Sequence, residues 1–71
     1  MRQHTLLWEL QNNEGAPIDC EAWAEDGAVH VLVKPAGQAE LTETFPECAD
    51  AVRFAVDLER TLVSEGWKKV I

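Results

Sequence analysis

The chain predicts an α+β fold, a three- to four-stranded antiparallel meander covered on one face by a single C-terminal helix. Three observations carry this reading. Apolar and polar residues alternate in four short stretches before Pro46. Turn residues separate those stretches. Beyond them Ala51, Phe54, Ala55, Leu58 and Leu62 recur at helical spacing and stop at Gly66-Trp67. A period of two marks a half-buried strand, and a period near 3.6 marks an amphipathic helix. One helix covers only one face of a sheet, so the opposite face meets water or a partner.

The first strand is expected over residues 4–11, with His4, Leu6, Trp8 and Leu10 on one face and Thr5, Leu7, Glu9 and Gln11 on the other. Asn12-Asn13-Glu14-Gly15 follows with residues that tolerate positive φ, and Pro17 fixes the exit. The second strand, 18–25, turns Ile18, Cys20, Ala22 and Ala24 inward and Asp19, Glu21, Trp23 and Glu25 outward. Asp26-Gly27 is a two-residue hairpin signal. The third strand, 28–34, has Val29, Val31 and Val33 inward and His30, Leu32 and Lys34 outward. After Pro35-Ala36-Gly37-Gln38 a weaker fourth strand, 39–45, points Leu41 and Phe45 inward. The small residues of the second strand let a helix approach closely, while Trp8, Phe45 and Phe54 fill the ends of the core.

The helix is expected over residues 47–65. Pro46 suits a position at or just before the first turn, and Glu47 and Asp50 put negative charge near the positive end of the helix dipole. Ala51, Phe54, Ala55, Leu58 and Leu62 form a core-facing stripe about 100° wide, so Ala55 and Leu58 are expected at the helix–sheet contact. Gly66 stands where a left-handed cap is wanted, with Trp67 placed to fold back onto the last turn.

Seventy-one residues make one domain, 1–71, near the lower limit for independent folding. Such small domains often gain stability from disulfides, a metal or oligomerisation. Two cysteines and two histidines leave oligomerisation as the open route. No apolar run approaches the ~18 residues of a membrane span, and the start of the chain lacks the apolar core of a signal peptide. The expected location is cytoplasmic, with both thiols reduced. Thirteen acidic residues against six basic give a net charge of −7. The basic residues are scattered, and a field of this sign repels a polyanion.

Leu6-Leu7-Trp8-Glu9-Leu10, the aromatic Phe45 before the helix, Ala51-x-x-Phe54-Ala55 and the terminal Gly66-Trp67 together resemble a group of short bacterial proteins of undefined function. Their pattern is a Leu-Trp-x-Leu strand, further strands, a helix with Ala-x-x-(Trp/Phe)-Ala, and Gly-Trp near the end. The resemblance spans most of the chain and implies a bacterial source. Its motifs are core and cap residues, so it implies a fold and carries no catalytic or binding residues. The two cysteines depart from the pattern.

No constellation specifies a reaction. Cys48 lies near a helix N-terminus, where a thiol can be activated, but nothing in the sequence fixes His4 or His30 beside it. His4, His30, Cys20 and Cys48 lack the paired spacing of two to four residues that structural zinc sites use. Glu25-Asp26-Gly27 lacks the alternating oxygen ligands of a calcium loop. Carboxylate pairs such as Glu21/Glu25 and Glu40/Glu43 read as a solvated face. The four glycines occur singly at turns, never as a phosphate-cradling cluster. The expectation is therefore a protein that is not an enzyme and uses no cofactor, metal or small-molecule ligand.

Surface hydrophobicity remains, in two places. Leu7, Trp23 and Leu32 become neighbours on the uncovered sheet face if the first three strands pair in meander order. Val52, Val56 and Val63 fall at about 100°, 140° and 120° from Ala51, beside the core stripe. A contiguous apolar patch marks a contact surface, and tryptophan is enriched at binding hot spots. The expected role is protein–protein interaction or self-association as a homodimer through the open face. The runner-up is nucleic-acid binding through the same face, opposed by Glu9, Glu21, Glu25 and Glu43. Glu9, Glu21 and Glu25 also oppose a symmetric dimer unless Lys34 or Arg2 intervenes.

Overall fold

The computed structural model describes residues 4–70. In chain order the elements are β1 (Thr5–Gln11), β2 (Pro17–Glu25), β3 (Ala28–Pro35), β4 (Leu41–Phe45), α1 (Cys48–Ser64) and β5 (Lys68–Lys69). The strands form one antiparallel sheet in the order β4-β3-β2-β1-β5, with α1 on one face. The α+β arrangement is the one the sequence predicts, with one strand more. No helix among the described residues is long and apolar enough to cross a membrane.

The β2–β3 hairpin is the best-specified pairing. Its register runs unbroken from Ile18↔Pro35 to Glu25↔Ala28. At its tip Asp26 and Gly27 both take positive φ, 55° and 76°, the twist that a tight two-residue hairpin turn requires. The β1–β2 turn works differently from expectation. Only Gly15 there has positive φ, and Asn12 contributes through its side chain. Its Oδ1 accepts the backbone N–H groups of Glu14 and Ala16, each at 2.9 Å, and so closes the turn.

Strand β1 departs from strict alternation. Leu6 pairs with Glu21 and Trp8 with Cys20, so Leu7 is an inserted residue and β1 is bulged. Trp8 and Leu10 face the core as expected. Upstream of the bulge the faces exchange: Leu6 lies opposite the outward Glu21 and is 56 % exposed, not inward.

Trp8, Leu10, Ile18, Cys20, Val31 and Val33 from the sheet meet Ala51 and Ala55 from α1, all buried. Ala22, Val29, Phe45, Phe54, Leu58, Leu62 and Trp67 pack around them, and the Phe45 and Phe54 rings lie 5.4 Å apart. The closest approach follows the alanine line of the helix. Leu58 is therefore half-buried beside the contact rather than within it. Ala24 is exposed near the end of β2, and Leu41 remains 47 % exposed on the outer strand. Across the interface the Trp8 Nε1–H donates to the Ala55 carbonyl at 3.0 Å, giving a buried indole the partner it needs.

The helix begins without a side-chain cap at Glu47, with Asp50 as the acid of its first turn. Its end is better defined. The Trp67 N–H donates to the Leu62 carbonyl at 3.0 Å and the Gly66 N–H to that of Val63 at 3.1 Å, the paired bonds of a Schellman terminus. Gly66 has φ 104° and reverses the chain. That reversal lays Lys68 and Lys69 against Gln11 and Leu10 as β5, and the Val70 N–H reaches the Glu9 carbonyl at 3.0 Å. Two residues carry no periodicity, so this strand leaves no trace in the sequence.

Nothing lies within 4 Å of a Cβ built on Gly66, so Gly66→Ala probes conformation alone. It should cost about 1 kcal/mol, the price of a left-handed backbone with a side chain. Urea unfolding checks this, and incorporation of D-alanine at the same position should remove the penalty.

Candidate functional site: a stacked histidine–tryptophan–histidine row on the open sheet face

The uncovered face is built from the outward residues of β1 to β4. Directly paired residues share a face, so the register places Trp23, His30 and Thr44 in one row and Leu6, Glu21, Leu32 and Thr42 in the next. His4, expected inward, stands on the open face as well, because the bulge has exchanged the faces upstream of Leu7.

Trp23 is the centre of this surface. The His4 ring stacks on it at 4.3 Å between centroids and 6° between planes, and the His30 ring follows at 5.3 Å and 22°. Each imidazole is anchored at its far end. His4 Nδ1 lies 3.0 Å from Glu21 Oε1, and His30 Nδ1 lies 2.9 Å from Thr44 Oγ1. The Glu21 carboxylate also takes Lys34 Nζ at 2.7 Å through its other oxygen. A continuous chain of contacts thus runs from Thr44 through three rings to Glu21 and Lys34. Trp23 Nε1 and Asp19 Oδ1 are buried within this layer without a hydrogen-bond partner among the described residues.

Of the three residues expected to meet here, Trp23 and Leu32 are diagonal neighbours across β2 and β3, both half-buried. Leu7 is the bulge residue, 40 % exposed, and Leu6 occupies the outward row opposite Glu21. Sequence reasoning missed Leu6, His4 and His30. His30 was legible, being outward on β3 opposite Trp23. Leu6 and His4 were not, because a bulge has no sequence signal in Leu6-Leu7-Trp8. On the helix, Val52 and Val63 are 50 % and 45 % exposed and Val56 is half-buried.

The charge of the face differs from expectation in one place. Glu43 pairs with the buried Val31, which puts it on the helix side of the sheet. Glu9, Asp19, Glu21 and Glu25 remain on the open face. The hydrogen bond from Lys34, and then that from His4, hold the Glu21 carboxyl below its ordinary 4.5.

Both histidines lie on the open face, whereas Cys20 is in the core and Cys48 opens α1 on the opposite side of the sheet. The sheet therefore separates each thiol from each imidazole. Burial, reinforced by Glu21 and Glu59, pushes the Cys20 thiol up to about 11, which keeps it protonated at neutral pH. Among the described residues no group of three or more His, Cys, Asp or Glu side chains is arranged to hold a metal ion. Both faces of the Trp23 ring are occupied by imidazoles, so the row offers no free indole face on which a nucleic-acid base could stack.

No family model, curated protein or solved structure matches this chain.

Because the folded Glu21 carboxyl titrates below its unfolded value, its stabilising contribution is complete above about pH 4.5 and fades as pH falls through the lowered folded value. Lys34→Ala should raise the Glu21 pKa towards 4.5, as followed by carboxyl chemical shifts during acid titration.

Proposed function

We propose that this protein works by binding protein, itself included, through the open face of its sheet, in the cytoplasm of a bacterium. One observation carries the reading. The exposed Leu6, with the exposed Leu7 next to it at the bulge, shares its face with a tryptophan already held in one orientation by two anchored imidazoles. A side chain fixed before binding loses little rotamer freedom on association, which is the economy that hot-spot residues exploit. Burying ~100 Å² of apolar surface contributes about 2.5 kcal/mol before association entropy is subtracted. Two leucines, Leu32 and the indole edge offer more than that per subunit.

The double pairing of Glu21 supports the reading further, since it offsets a charge near the centre of the surface. Glu9 and Asp19 remain as like charges across a two-fold axis. Arg2, a possible counter-charge, lies outside the described residues. Nucleic-acid binding is the weaker proposal, because the lysines and arginines among the described residues of this face are Lys34, committed to Glu21, and Lys68 at its edge opposite Gln11, outnumbered by Glu9, Asp19, Glu21 and Glu25. An enzymatic role is not proposed, the thiols and imidazoles lying on opposite sides of the sheet.

Sedimentation at high micromolar concentration should show a dimer that tightens with added salt, as screening weakens the acidic repulsion. Trp23→Asp and the exposed Leu6→Asp should both return it to monomer while preserving the far-ultraviolet spectrum. A strict monomer at low and high salt, or a dimer indifferent to both substitutions, would remove self-association from this face.

A further inference from the structure

Most of the basic residues of this protein lie on its C-terminal elements. Of its six basic residues, Arg2 is outside the described region and Lys34 is bound to Glu21. The remaining four, Arg53, Arg60, Lys68 and Lys69, all belong to α1 or β5. Between the last turns of the helix and that short strand runs an open groove of about 500 Å³. Val56 and Val63 line it along the helix, Arg60 and Lys69 supply its positive charge, and Glu59 and Ser64 complete it. Val52 continues the valine stripe one turn towards the helix start.

The acidic side chains of α1 are mostly turned elsewhere. With Ala51 at 0°, the valines centre near 120° and Arg60 and Arg53 follow at about 180° and 200°, whereas Asp57 and Asp50 fall at about 240° and 260°. Glu59 is the one carboxylate in the groove, and Lys69 Nζ stands 3.5 Å from it. Arg60 has no ion pair or hydrogen bond from its side chain among the described residues. On a chain of net charge −7, an aliphatic groove with an uncommitted guanidinium is the exception.

We propose that this groove is a second docking surface, independent of the sheet face, for an acidic amphipathic segment of a partner protein. Its apolar side chains would lie on Val56 and Val63. Its carboxylates would meet Arg60, whose planar fork suits them bidentately, and Lys69, drawn from its long contact with Glu59. Nucleic acid fits less well, because the groove has no aromatic ring for a base and the surrounding field is negative.

The test uses the full chain and a fluorescein-labelled peptide of about 14 residues, with leucines at helical spacing and glutamate elsewhere. Matched controls replace every glutamate by lysine, replace every leucine by serine, or substitute a single-stranded oligonucleotide. Anisotropy should give saturable binding to the Glu/Leu peptide alone, weakening as salt rises. Amide shift changes should gather at Val56, Arg60, Val63 and Lys69. Arg60→Glu and Val63→Asp, both at exposed positions, should each reduce affinity by about tenfold or more, and Trp23→Asp should leave it unchanged. Equal binding of the lysine peptide, stronger binding of the oligonucleotide, shifts centred on the open sheet face, or no binding would each overturn the proposal. Loss of self-association in Arg60→Glu would overturn it too, assigning the groove to a second copy of this chain.

Discussion

The close seating of α1 on the sheet is the constraint from which the remaining geometry follows. It is made by small side chains, Ala51 and Ala55 above the fully buried Cys20, and joined by the Trp8 indole bonded to the Ala55 carbonyl. Small residues bring the two backbones together, and the large ring on β1 then spans the gap that remains beside them. The bond fixes the rotation of the helix as well as its distance, because the carbonyl of one particular residue must meet the indole. Everything that the helix carries outward, the valine stripe and its arginines included, is aimed by that contact. The Cys20 thiol is protected by the same seating.

The second organising feature is the bulge at Leu7. Without the inserted residue, strict alternation would carry His4 and Leu6 into the core, where an imidazole would need a buried partner. With it, His4 reaches the open face, stacks on Trp23 and bonds to Glu21. A bulge also sharpens strand twist and disrupts a ladder. It falls on the part of β1 that β5 leaves unpaired, since β5 covers only Leu10 and Gln11. The same residue therefore builds the aromatic row and makes an uncovered sheet edge a poorer template for unwanted strand pairing.

Much of the fold was legible because local chemistry dictated it. Asp26-Gly27 forced a tight turn, alternation then fixed the β2–β3 register, and Gly66-Trp67 marked the helix end. Features that depend on tertiary placement were not legible. Lys68 and Lys69 become a strand only because the Gly66 reversal delivers them to β1. Leu58 yields the closest contact to two alanines because the helix settles on its smallest side chains, which hydrophobicity counting does not reveal. Glu43 was misplaced although the inward Leu41 and Phe45 already required its side. The site was half visible: Trp23 and Leu32 followed from alternation, but the imidazoles that hold Trp23 depend on a bulge and on cross-strand pairing.

The three tryptophans occupy three different joints of the molecule. Trp8 joins strand to helix through its indole N–H, Trp23 lies between two imidazoles on the far side of the sheet, and Trp67 closes the helix terminus. Indole emission responds to solvent contact, and a stacked imidazole quenches it more strongly once protonated. The protein thus carries its own set of spectroscopic reporters. Chains retaining one indole at a time would distinguish separation of the two layers, disturbance of the open face and fraying of the C-terminal turn by intrinsic fluorescence, with no label attached.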